Sequence, residues 1–106
     1  LFEWLDSIHG PIPRKLTLLQ QAAKQDGADF CFAMLARQVR LLLLTKSGAP
    51  MKEHPFVLQK LRQQARSFSE QQLIDMHEQL TLIDFHQKTG QLKLSLEQEL
   101  EKLMIL

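Results

Sequence analysis

Few residues in this 106-residue chain have the type and spacing to do chemistry, and each has a structural use. His77, Asp84 and His86 are metal-ligand types within ten positions. At about 100° per residue, however, His86 lies about 160° around a helix from Asp84, so three ligands would need help from another element. Cys31 could serve as a nucleophile with a distant histidine, but it sits among Phe30, Phe32 and Met34, where a buried thiol is the default. The four glycines, Gly10, Gly27, Gly48 and Gly90, form no phosphate-cradling pattern with a following Lys-Ser/Thr. Lys60, Arg62 and Arg66, interleaved with glutamines, read first as a solvated helix face. Their functional alternatives are a phosphate backbone or the acidic groups of a partner. Asp84 and Lys88, four apart with the acid first, form a favourable helical ion pair that needs no catalytic role.

The elements that would carry these residues are helices. Pro and Gly fall between apolar periodic segments, tyrosine is absent, and no stretch alternates long enough for a strand. Helices are expected over about 1–9, 13–26, 29–46, 55–66, 70–88 and 95–105. Phe2 and Trp4 serve as aromatic anchors of the first. Asp29 is expected to cap the third, which is apolar over more than half its circumference and therefore central. Arg37 and Arg40 are its main interruptions, with stems that cover neighbours and heads in water. His54 and Pro55 open the fourth helix, which buries Val57, Leu58, Leu61 and Ala65 and turns Lys60, Arg62, Gln63, Gln64 and Arg66 outward. Ser69 and Gln72 form a capping box, with Phe68 and Leu73 as its hydrophobic staple. The fifth helix then presents a seam of Leu73, Met76, Leu80 and Ile83, flanked by Ile74 and Phe85, and ends at Lys88-Thr89-Gly90. Ser95 and Gln98 repeat the capping pattern ahead of Leu96, Leu100, Leu103 and Met104.

Composition bounds the function. Hydrophobic residues at 44% and charged residues at 24% fit one globular domain. A net charge of +1 argues against nucleic-acid binding by bulk electrostatics. No apolar run approaches the roughly 20 residues of a membrane span. The lone Cys31 is compatible with a reducing cytoplasm. Residues 52–66 hold four basic residues and one acidic, giving +3, whereas 70–84 hold four acidic residues and no Lys or Arg, giving −4. Such segregation can steer neighbouring subunits into register. A helix-turn-helix DNA reader would need a basic second helix, and Glu70, Asp75, Glu78 and Asp84 would repel phosphate instead.

The order His54-Pro55-Phe56, then Arg66, Phe68 and Ser69, then Asp84, Lys88 and Gly90 resembles the C-terminal part of the delta subunit of the bacterial DNA polymerase III clamp loader. Leu35 to Leu43, with its Ala-Arg-Gln-Val-Arg core, is similar to the family's leucine-rich helix. The resemblance implies an all-α, compact, collar-like bundle of five to six helices, expected to be the C-terminal domain of a longer chain. It further implies a non-catalytic domain without cofactor or metal, lying in the cytoplasm within a holoenzyme that is a DNA-directed DNA polymerase. The collar would hold the subunit in a ring with the gamma/tau ATPase and delta-prime subunits. DNA would be met indirectly or weakly, and the sliding clamp through a part of delta outside this chain. The candidate motif and interface residues are Arg37, Arg40, His54, Pro55, Phe56, Lys60, Arg62, Arg66, Asp84, Lys88 and Gly90. The alternative reading is a stand-alone helical adaptor whose charge-segregated helix pair binds a partner helix.

Overall fold

Proline, serine and glycine set the helix boundaries in the computed structural model, which describes residues 1–105. The six helices are α1 (Phe2–Ser7), α2 (Ile12–Asp26), α3 (Ala28–Ser47), α4 (Pro55–Ala65), α5 (Glu70–Lys88) and α6 (Leu96–Met104), and there is no strand among the described residues. The fold is all-α, as the sequence led us to expect. At Ser69 and Ser95 both halves of a capping box are present, the serine hydroxyl accepting from the third backbone N–H and the glutamine amide oxygen accepting from the serine N–H. Gly48 and Gly90 adopt φ of 75° and 70°. Each closes its helix with paired bonds to the last turn, Ala49 N to Leu44 O at 3.2 Å and Gln91 N to His86 O at 2.8 Å being the longer-range member of each pair.

Three local expectations change. Asp29 is not a cap: Gly27, at φ 88° and ψ 149°, flanks α3 and Ala28 opens it. Asp29 lies in the first turn, where a carboxylate suits the positive end of the helix dipole, and accepts from Gln87 Nε2 at 3.0 Å. Helix α1 is shorter than expected because Ser7 turns the chain, its carbonyl accepting from Gly10 N at 2.8 Å. Of the two aromatic anchors on α1, Trp4 is fully buried and Phe2 is 69% exposed. Their side chains are two residues apart and so about 160° apart on the helix.

Helix α3 is the centre of the molecule, packing against α2, α4, α5 and α6. Its Cys31, Leu35, Val39 and Leu42 are completely buried. They meet Leu19 of α2, Leu61 and Ala65 of α4, Leu73 and Leu80 of α5, and Leu100 and Met104 of α6 in one continuous core. At about 1.5–3 kcal/mol for each fully buried large aliphatic side chain, this core is the main stabilising term. Trp4 Nε1 is buried without a hydrogen-bond partner among the described residues, so the indole serves there through its apolar bulk.

Candidate assembly surface

Two helices display side chains that the core does not use. On α4, the His54 imidazole caps the helix, Nδ1 accepting from Phe56 N at 3.1 Å, and Pro55 occupies the first turn without losing a bond. This start holds Phe56 outward, 63% exposed, with the Lys60 ammonium 5.6 Å from its ring centroid. Lys60 is also committed within the molecule, donating to Asp6 Oδ2 of α1 at 3.3 Å. Arg62 and Arg66 are exposed and make no ion pair among the described residues, so they are the available cations of the basic face.

Gln64 departs from the outward position expected for it. It is 8% exposed, donating from Nε2 to Leu5 O at 2.7 Å and accepting on Oε1 from Gln38 Nε2 at 2.7 Å. One amide thus joins α1, α3 and α4. Periodicity places position 64 at the edge of the apolar stripe; the signal that it is buried is its spacing of three from Leu61, next to Ala65, on the core side.

The remaining candidates serve the frame. Arg37 donates to Glu53 Oε1 at 3.2 Å, tying the segment between α3 and α4 back onto α3. Arg40 is exposed. Lys88 donates to Asp84 Oδ2 at 2.9 Å, the expected exposed pair, and Gly90 supplies the left-handed turn that ends α5. These residues are therefore distributed over several faces and do not converge on one site. His77 is exposed and His86 half-buried, and among the described residues no three His, Cys, Asp or Glu side chains are grouped to hold a metal ion. Burial pushes the Cys31 thiol up from its ordinary pKa, reinforced by the negative charges of Asp26 and Glu97 and opposed by the N-terminal charge. That makes it a poor nucleophile. A hollow of about 450 Å³ between the end of α1, α2, α5 and α6 is lined by Ile8, Phe68, Met76 and Met104, with Lys15 and Asp75 among its polar walls. Burial lowers the Lys15 pKa, and the amine donates to Ile8 O at 3.4 Å.

The second display is the far side of α5. Leu73, Leu80 and Ile83 are buried and Met76 half-buried, as the seam requires. Phe85, expected to flank that seam, is 57% exposed, and Leu82 is 48% exposed. Positions 75, 78, 82 and 85 repeat the three-four-three spacing of the seam, displaced by two residues and so on the opposite side of the helix. Helix α5 thus has two faces with one period, the outer one acidic at Asp75 and Glu78 and apolar at Leu82 and Phe85, Asp75 standing at its edge where it also borders the hollow. The repeat is present in the sequence, masked there by the stronger seam, which accounts for the helix by itself. Among the described residues no helix is long and apolar enough to cross a membrane.

Comparison with known proteins gives two matches. The family model described as DNA polymerase III delta subunit, C-terminal domain, matches residues 14–105. The chain is 36% identical over 85 residues to the DNA polymerase III subunit delta of Bacillus subtilis (strain 168), an alignment covering 70% of this chain and 24% of that protein. The chain therefore spans about a quarter of the length of that relative. No solved structure matches.

Proposed function

Because the chain belongs to the family of C-terminal domains of DNA polymerase III delta subunits, we propose that it is a non-catalytic assembly domain acting in DNA replication. In this reading it holds its subunit in the collar of a clamp loader, in the cytoplasm, against the helical domains of the gamma/tau ATPase and delta-prime subunits. The clamp is engaged by parts of the delta subunit outside these residues, and DNA is met indirectly or weakly. The observation that carries the reading is the family match over residues 14–105, which reaches from α2 to α6. The packing supports it: a central helix packed against four others makes a stiff frame, and stiff frames lose little entropy on docking.

Of the motif residues, Arg62 and Arg66 are the best suited to reach a neighbour, since Lys60 is already held by Asp6. His54, Pro55, Asp84, Lys88 and Gly90 shape the helix ends, Arg37 fixes the α3–α4 connection, and Phe56 and Arg40 are free to make contact. The test is light scattering behind size exclusion, on the chain alone and mixed with the ATPase and delta-prime subunits of the same organism. Co-elution in fixed stoichiometry, weakened by Arg62→Glu with Arg66→Glu, is expected. A chain that stays free at low salt, where the full-length subunits assemble, overturns sufficiency for assembly and favours the stand-alone adaptor.

A further inference from the structure

The outer face of α5 has a direction as well as a composition. From its N-terminal half towards its C-terminal half it runs from carboxylate, at Asp75 and Glu78, to apolar, at Leu82 and Phe85. Neither carboxylate is ion-paired among the described residues, although Gln71 Nε2 donates to Asp75 Oδ1 at 2.9 Å. Leu82 and Phe85 lie roughly one turn apart, at about 1.5 Å of rise per residue, both exposed, with Leu82 also bordering a hollow it shares with Leu92, Leu94 and Lys102.

Resting on the assembly reading above, we infer that this face receives one helix of a neighbouring subunit, running antiparallel to α5. That helix has an apolar side chain against Leu82 and Phe85 and a basic one about ten residues further on, against Asp75 and Glu78, at a spacing of about 15 Å. Charge fixes both the partner's sign and its direction. A parallel helix of the same composition would place its cation over Phe85 and its apolar group over Glu78, leaving each unmatched. The chain's own α4 shows that such a helix is an ordinary product of this kind of sequence. Its outer stripe of Phe56, Gln59 and Gln63, continued by Arg66 at the C-cap, runs from apolar to basic over ten residues, the same separation as Phe85 to Asp75.

The test uses single cysteines placed at this face in the full-length subunit, followed by maleimide labelling of the peptide that contains them. Cys31 is buried and stays silent in the folded chain. Leu82→Cys and Glu78→Cys should label readily in the free subunit and lose most of that reactivity once the ATPase and delta-prime subunits are bound. Lys24→Cys, at the end of α2, should not change. Asp75→Lys with Glu78→Lys should weaken assembly by about tenfold or more, steeply at low salt, with the fold confirmed by unchanged circular dichroism. If the complex assembles while both cysteines label as before, this inference fails and the assembly reading stands. If the wild-type subunits do not assemble, both fail. Concentration-dependent protection in the subunit alone assigns the face to a second copy and overturns the neighbour.

Discussion

Gln64 is the one buried polar residue among the described residues. Its amide satisfies the Leu5 carbonyl and the Gln38 amide at once, in a place almost closed to water. Gln64→Leu keeps the volume but leaves both partners unmatched, so urea unfolding should show a loss of about 1–3 kcal/mol. Lys60 makes the contrast. Its pair with Asp6 has both side chains about half exposed, and Lys60→Ala should change stability by less than about 1 kcal/mol in the same measurement. Cys31 gives the pH dependence. Burial raises its folded-state pKa above the ordinary value of 9.0, so the folded chain holds the thiol proton more tightly than the unfolded chain. That contribution is intact below the ordinary value and is lost as the pH rises through the folded one. Denaturant midpoints should therefore fall as the pH rises above the ordinary thiol value of 9.0, and Cys31→Ala should flatten that slope.

At the scale of elements, the boundaries were legible because their causes are local. Pro55 with His54, Ser69 with Gln72, Ser95 with Gln98, and the glycines at 48 and 90 act within four residues of the ends they define. Ser69→Ala should cost about 1 kcal/mol through loss of the cap. Gly90→Ala should cost about 1–2 kcal/mol for its left-handed backbone alone, since nothing stands within 4 Å of an added methyl group; thermal melts of the two variants test both figures. What periodicity could not supply was the orientation of side chains whose partner is remote in sequence. Gln64 is buried because a carbonyl 59 positions earlier faces it, Asp29 is engaged by Gln87, and Phe2 is exposed because the short α1 has one side to bury and Trp4 takes it. The candidate surface was legible in part: the basic stretch on α4 was apparent from charge alone, whereas the outer stripe of α5 shares its period with the core seam and was concealed by it.

At the scale of the whole molecule, α3 ties α2, α4, α5 and α6 together, while α1 packs on α2 and is latched to α4 by Gln64 and by the Lys60–Asp6 pair. That arrangement gives the burial of Trp4 an experimental meaning. It is the sole tryptophan of the chain, it is fully enclosed, and its indole N–H has no hydrogen-bond partner among the described residues. Its emission should accordingly be blue, and should move to the red when α1 lifts away, whether or not the other five helices have opened. The protein thus contains an intrinsic fluorophore where α1 packs into the core. A red shift that precedes the loss of helical circular dichroism in a denaturant titration would time the release of α1 against the collapse of the remaining frame.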